Sequence, residues 1–334
     1  MLKKALKIAG IALAVIVVLL AGLKLAVDAR YFSAYDPKAP FNVQVRAVTE
    51  MNPEDPARSY QLVDFTFAGV NGGTVPTLMT FPSNAAKKVP MVIFLHGIGQ
   101  KKDFLKEITV PFNKCGFAMA CFDQQMQGER KLPKDAGWWA QFQAFRTRPA
   151  KTINETRRLV DYLQTHPQID PQRIYLCGAS YGAITGSTVL SFDKRIRAGV
   201  LVYGGGNIRT MLEAPMIKDE LGTVGLALIK PVAAYVLGAA DPVKYAGGIA
   251  PTPVFFQNGS RDRLVSPEAG KLLIGAARDP KKVVWYESDH IGMDLENTKQ
   301  VLKDALGWLL EQDDPFRAPE EKVKQIPDFV IEDT

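Results

Sequence analysis

Residues 178–182 read Gly178-Ala179-Ser180-Tyr181-Gly182, and they constrain this chain more than any other stretch. A strand-like run at 173–177 precedes them, and helical character follows from 181 to about 190. A chain turning from a buried strand into a helix within one residue needs glycine wherever a Cβ would collide with neighbouring backbone. Such a turn thrusts Ser180 out at the carboxyl end of a sheet, beside the free N–H groups of a helix start. A glycine-rich turn without chemistry is the bland reading. The strand before and the helix after favour a nucleophile.

A serine hydroxyl is a weak nucleophile and needs a base to take its proton. The chain has three histidines, His96, His166 and His290. His166 sits in Thr165-His166-Pro167, in the loop after a helix, and His96 precedes Gly97 at a strand end. His290 follows the last expected strand and takes the role of general base. The acid that orients the imidazole is assigned to Asp262, in the loop after a buried strand. Asp289 is its rival, but as the neighbour of His290 it would have to fold back on the adjacent residue. Oxyanion stabilisation needs preset backbone donors. Tyr181 N–H is one candidate, and Ile98 N–H, reached through Gly97, is the second. His96 reads as structural. Asp123 is expected to pin the glutamine-rich loop 123–128, and Trp138, Trp139, Phe142 and Phe145 either wall a pocket or, more commonly, pack as core.

Two runs at 60–67 and 74–81, joined by Asn71-Gly72-Gly73, predict a hairpin. Continuous apolar runs at 90–95, 117–122, 198–203, 253–257 and 283–286 read as strands buried on both faces. Helices are expected at 149–164, 181–190 and 297–311. Strands alternating with helices predict an α/β fold, a mostly parallel central sheet covered on both faces. Residues 207–250 break the alternation with an apolar helical stretch, read as a cap insertion over the strand ends. A second membrane span at 221–240 is the alternative, which Lys230-Pro231 in its middle disfavours. Residues 31–58, with four prolines, read as a linker, and 313–334 as a charged tail, leaving 59–312 as the catalytic domain.

The N-terminus carries Lys3, Lys4 and Lys7 ahead of an uncharged run at 8–23, which resumes after Lys24 to residue 27. At 1.5 Å per residue the longer stretch reaches about 30 Å, enough for a membrane anchor over residues 1–30. The lysines then stay cytoplasmic, and the catalytic part is extracytoplasmic, in the periplasm or outside the cell. A signal peptide cleaved after Val27-x-Ala29 is the rival, which makes the protein secreted. A net charge of +6 over 334 residues, without a basic stripe interleaved with aromatics, argues against nucleic-acid binding. The three cysteines, Cys115, Cys121 and Cys177, have no metal-ligand spacing, and no metal or organic cofactor is implied.

The stretch Ile169-Asp170-Pro171-Gln172-Arg173-Ile174, running into Cys177-Gly178-Ala179-Ser180-Tyr181-Gly182, resembles the "Asp-x-x-Arg-Ile … Gly-x-Ser-x-Gly" segment of the α/β-hydrolase superfamily. The likeness is to its dienelactone-hydrolase-like and acetyl-xylan-esterase-like branch, related to prolyl-oligopeptidase catalytic domains. It covers roughly residues 60–312 and implies Ser180, Asp262 and His290 as nucleophile, acid and base, in that superfamily's chain order. One departure is the loop after Asp123, which in that branch resembles Asp-x-Arg-Gly-x-Gly. The expected activity is hydrolysis of carboxylic esters with some apolar bulk. A peptidase or amidase is the second reading, with Glu213, Asp219 and Glu220 as the groups to receive a free amine. A non-catalytic binding protein is the third.

Overall fold

The computed structural model describes residues 14, 15, 18, 19, 21–83 and 87–331. In chain order the first elements are α1 (residues 21–29), β1 (Gln44–Met51), β2 (Tyr60–Ala68), β3 (Thr74–Pro82), β4 (Val89–Leu95), α2 (Leu105–Lys114) and β5 (Ala118–Phe122). There follow α3 (Trp138–Thr165), β6 (Ile169–Ala179), α4 (Tyr181–Phe192), β7 (Ala198–Val202), α5 (Ile208–Met211) and α6 (Pro215–Leu237). The last are β8 (Val254–Gly259), α7 (Pro267–Ala276), β9 (Lys281–Tyr286) and α8 (Leu295–Asp313).

The strands form one sheet in the order β1-β2-β3-β5-β4-β6-β7-β8-β9. β1, β2, β3 and β5 pair antiparallel in succession, and β5-β4-β6-β7-β8-β9 are parallel. Every residue of β4 is buried. Met91, Ile93 and Leu95 face one core cluster with Leu159 and Leu163 of α3 and Val189 of α4, while Val92 and Phe94 face a second with Ile108 of α2 and Leu306 of α8. This explains the unbroken apolar runs, since period-two alternation disappears when both faces are covered. After β4 the chain steps to β5 on one side and then crosses to β6 on the other. The carboxyl ends of β4 and β6 therefore flank the point where open α/β sheets place their ligands.

Three expectations need correction. Residues 31–58 are docked onto the domain. β1 lies within them as an edge strand, and the buried Arg158 guanidinium donates to the carbonyls of Asp36 (2.9 Å) and Pro40 (2.9 Å). Charge and proline disguised this stretch, because an edge strand with exposed side chains has no apolar signature. Helix α3 begins at Trp138, eleven residues before the expected start, with Pro149 inside it. A proline there imitates a first-turn residue. Trp138, Trp139 and Phe145, read as a pocket wall or as core, are exposed to solvent.

The charged tail also packs down. Asp313 is buried and accepts from Arg173 Nη2 (2.7 Å), Arg317 Nε (2.6 Å) and the Tyr175 hydroxyl (2.8 Å), and Phe329 packs edge-on against Phe112. Between β7 and β8, α6 is broken at Gly222 (φ 64°, ψ 172°), and Leu226 is its one buried residue. Both its ends return to strands paired with each other, so it cannot cross a bilayer once and leave β7 and β8 in register. The expected anchor run from residue 8 lies largely outside the described residues.

Candidate active site

Ser180 ends β6 and caps α4 with φ 54° and ψ −116°. A non-glycine residue held there stores strain of about 1–3 kcal/mol, tolerated only where the surroundings over-determine it. Here they do. A Cβ on Gly178 would lie 2.3 Å from the Gly182 carbonyl oxygen, and one on Gly182 would lie 1.8 Å from the Leu95 carbonyl oxygen. Glycine at both positions lets β6, α4 and β4 close on one another, and Ser180 is what that closure presents.

Around it stand the groups expected from the sequence. Ser180 Oγ lies 2.9 Å from His290 Nε2, and His290 Nδ1 lies 2.7 Å from Asp262 Oδ2. The Asp262 side chain is 1% exposed and that of His290 6%, so their interaction is little diluted by water. The other Asp262 oxygen accepts from Leu264 N and Val265 N, both at 2.8 Å. With Nδ1–H donating to Asp262, Nε2 is left as the acceptor for the serine proton.

Asp289, the rival acid, does different work. Its Oδ1 accepts from its neighbour's own backbone, His290 N (2.7 Å), and from Arg263 N (2.9 Å). It ties the loop carrying the histidine to the loop carrying Asp262.

The candidate oxyanion donors both come free. Neither Tyr181 N–H nor Ile98 N–H has a hydrogen-bond partner among the described residues. Gly97 brings the β4–α2 loop against the serine, with a Cβ there meeting Ser180 Cβ at 3.4 Å. That loop is braced by Gln124 Nε2 donating to the His96 carbonyl (2.7 Å) and by Gly97 N donating to Gln100 Oε1 (3.1 Å). Gln124 gives the glutamine-rich loop a structural purpose. Asp123 pins it as expected, accepting from Lys102 N and Glu129 N, both at 2.8 Å. His96 is fully buried, and burial depresses its pKa and keeps it neutral. It sits behind the site as structure. His166 stacks on Phe81, away from the others.

Comparison with known proteins follows the same lines. Residues 38–204 match the model of the acetyl xylan esterase (AXE1) family, and residues 144–314 match that of the prolyl oligopeptidase family. The chain is an α/β-hydrolase. Among curated relatives it is 30% identical over 159 residues to the thiohydrolase aneE of Aspergillus aculeatus, covering 46% of this chain and 45% of that protein. It is 22% identical over 253 residues to the uncharacterized protein YfhR of Salmonella typhi, covering 71% of this chain and 75% of that one. Acetyl xylan esterase 1 from Thermoanaerobacterium sp. JW/SL YS485 superposes with a TM-score of 0.64 at 16% identity, over 86% of this chain and 93% of that one. The acetyl xylan esterase of Paenibacillus sp. R4 gives 0.65 at 16% identity, over 87% and 93%.

Two residues of this hydrolase's site escaped sequence reading. Tyr203, just past β7, has φ 55° and sets its ring edge-on to the His290 imidazole at 5.9 Å. Its hydroxyl meets Ser288 Oγ and accepts from Asn297 Nδ2 (3.0 Å), so it braces the loop that carries His290. Arg148 of α3 holds its guanidinium 4.2 Å from the Tyr181 ring centre. Burial pushes the Tyr181 phenol up to about 12, so this hydrolase carries it neutral at ordinary pH. Neither residue lies in a motif, because each acts across the fold. Cys115 and Cys177 are free thiols raised by burial to about 11 and about 12, and Cys121 is raised by burial as well. They are inert packing residues.

Proposed function

We propose that this hydrolase cleaves carboxylic esters through an acyl-enzyme, with Ser180 as nucleophile, His290 as general base and Asp262 as orienting acid. The observation that carries the reading is the continuous hydrogen-bond chain from Ser180 Oγ through His290 to Asp262. Ser180 Oγ attacks the ester carbonyl while His290 Nε2 takes its proton. The N–H groups of Tyr181 and Ile98 receive the oxyanion, and Asp262 stabilises the imidazolium. His290 then returns the proton to the leaving alcohol. Water repeats the sequence on the acyl-serine, releasing the acid and restoring the hydroxyl.

A thioester is an equally suitable acyl donor for this machinery, and one curated relative bears the name thiohydrolase. Two of the three acids proposed to hold an amine are already ion-paired, Glu213 with Lys230 and Asp219 with Arg263 (2.9 Å), which disfavours the amidase reading. The exposed Ile98 side chain, in the loop against Ser180, favours a substrate with apolar bulk. We further propose that residues 1–30 anchor the chain and hold residues 31–334 on the extracytoplasmic side. Alkaline phosphatase fused after Thr334 is then active in intact bacteria, and a silent fusion refutes export.

The decisive assay compares the protein with Ser180→Ala on p-nitrophenyl esters from acetate to laurate and on an acyl thioester. Turnover by the parent alone, with fluorophosphonate labelling of the parent alone, is expected. Equal residual turnover by both proteins overturns the assignment of Ser180.

A further inference from the structure

Exposed apolar surface lies on three neighbouring elements among the described residues, α6, α3 and α1. On α6, Val224, Leu228, Val232 and Tyr235 recur at helical spacing and form one outward stripe, with Val224 74% exposed and Leu228 68%. Trp138 and Trp139 at the start of α3 stand in open solvent, the first 76% exposed, and stack edge to face. Leu23 and Leu25 of α1 are exposed as well, on nearly opposite sides of that helix.

Specific contacts join the three. Lys24 of α1 sits 4.9 Å from the Tyr235 ring centre, at the end of the α6 stripe. Asp28 of α1 lies 4.0 Å from Arg146 of α3, and the Tyr31 hydroxyl donates to the Arg146 carbonyl (2.6 Å). Tyr31, Ala150 and Ala239 close a small shared core. The end of α1 is thus wedged between α3 and the end of α6, which makes the three a contiguous region of the surface.

We infer that this surface rests on a lipid bilayer and presents the Ser180 site to it, so that the enzyme draws apolar esters from the lipid phase. This inference rests on the ester-hydrolase reading above for its substrate, though not for the docking itself. The occupant follows from continuity. Towards the N-terminus α1 leads into the uncharged run at 8–23, a sequence made for hydrocarbon. Charge agrees, because between residues 221 and 237 α6 carries only Lys230, and that is paired with Glu213. Geometry sets the depth. The piece of α6 after the Gly222 break, residues 223–237, reaches about 22 Å against a hydrocarbon core of roughly 30 Å. Its ends are tied to one sheet, so it lies in the interface as an amphipathic element does. Tryptophans exposed beside it suit the headgroup level.

The surface is coupled to the chemistry at its other end. Met216 N at the start of α6 donates to the Arg263 carbonyl (3.0 Å), next to Asp262, and the Arg263 guanidinium pairs with Asp219 of α6. The part of α6 before the Gly222 break is thereby joined to the loop that carries Asp262, and the stripe continues from it.

The test uses the full chain reconstituted in phosphatidylcholine vesicles, with and without brominated acyl chains. Emission from Trp138 and Trp139 is expected to be quenched by the brominated lipid, and the quenching to vanish in the Trp138→Phe/Trp139→Phe protein. A second variant, Val224→Lys/Leu228→Lys/Val232→Lys, is expected to lower hydrolysis of a vesicle-borne acylglycerol by about tenfold while p-nitrophenyl acetate turnover stays unchanged. The unchanged soluble turnover reports that the variant is folded. Absence of quenching overturns the docking, and so does a concentration-dependent dimer that the lysines abolish, which would make the occupant a second copy. Quenching with undiminished vesicle hydrolysis overturns delivery from the lipid. Should no ester be turned over by any form, the ester-hydrolase reading fails while the quenching still decides the docking.

Discussion

The turn around Ser180 and the helical excursion between β7 and β8 are built by opposite rules. At the turn, Gly178 and Gly182 leave no room for even one extra carbon, and the strained φ of Ser180 is held by β4, β6 and α4 together. In the excursion, the one glycine with a positive φ, Gly222, has nothing within 4 Å of a Cβ position, and the helix around it touches little. The first region gains its geometry from being enclosed on every side. The second keeps its apolar surface available, as an element does when it has something outside the chain to meet. Precision and access are divided between two parts of one fold.

That division can be broken at either end. Ser180→Ala is expected to have the largest effect, a loss in kcat of up to about 10⁶ on a p-nitrophenyl ester, because the triad acts as a unit. Asp262→Asn should cost about 10⁴ by favouring the wrong histidine tautomer, whereas Asp289→Asn leaves the Ser180–His290–Asp262 chain intact and costs far less. Equal losses from the two, measured as kcat/KM on one ester, would show that Asp289 carries the orienting role instead.

The next effect concerns stability. Burial raises the Asp313 pKa, but the Arg173 and Arg317 guanidiniums and the Tyr175 hydroxyl overcome that and hold it below the ordinary carboxylate value. A carboxylate depressed in the folded state contributes stability above its unfolded pKa of about 3.9, and that contribution is lost as pH falls through the folded value. Asp313→Asn should therefore destabilise by about 3–5 kcal/mol at neutral pH, leaving buried guanidiniums unpaired, and flatten the acid limb of a Tm-against-pH profile. An unaltered acid limb would remove Asp313 from that role. The smallest effect belongs to the excursion. Gly222→Ala meets no atom but must hold a positive φ, so a loss of about 1 kcal/mol by urea titration is expected, with soluble-ester turnover unchanged.

The parts of the site that were legible share one property: their requirements are local. A buried strand, two glycines that cannot carry a Cβ and a helix start are all covalently adjacent, so Ser180 could be read directly. His290 followed from scarcity, since His96 and His166 were each consistent with structure. The hairpin over β2 and β3 and the parallel strands were legible because an unbroken apolar run records burial on both faces. β1 was missed because its side chains stay exposed and its pairing is made by backbone alone.

What the amino-acid sequence determined by itself was the α/β framework, the serine on its strained turn and the chain order of Ser180, Asp262 and His290. Three things were decided only in the tertiary structure. Asp262 rather than Asp289 faces the imidazole, because two loops far apart in sequence are brought to 2.7 Å. Tyr203 braces the His290 loop from across the sheet. The apolar face of α6 stays exposed, because its ends are anchored to β7 and β8 while, among the described residues, no other element packs over its middle. Local chemistry is written residue by residue, but which groups meet, and which face remains open, depends on contacts between parts of the chain that know nothing of each other until it folds.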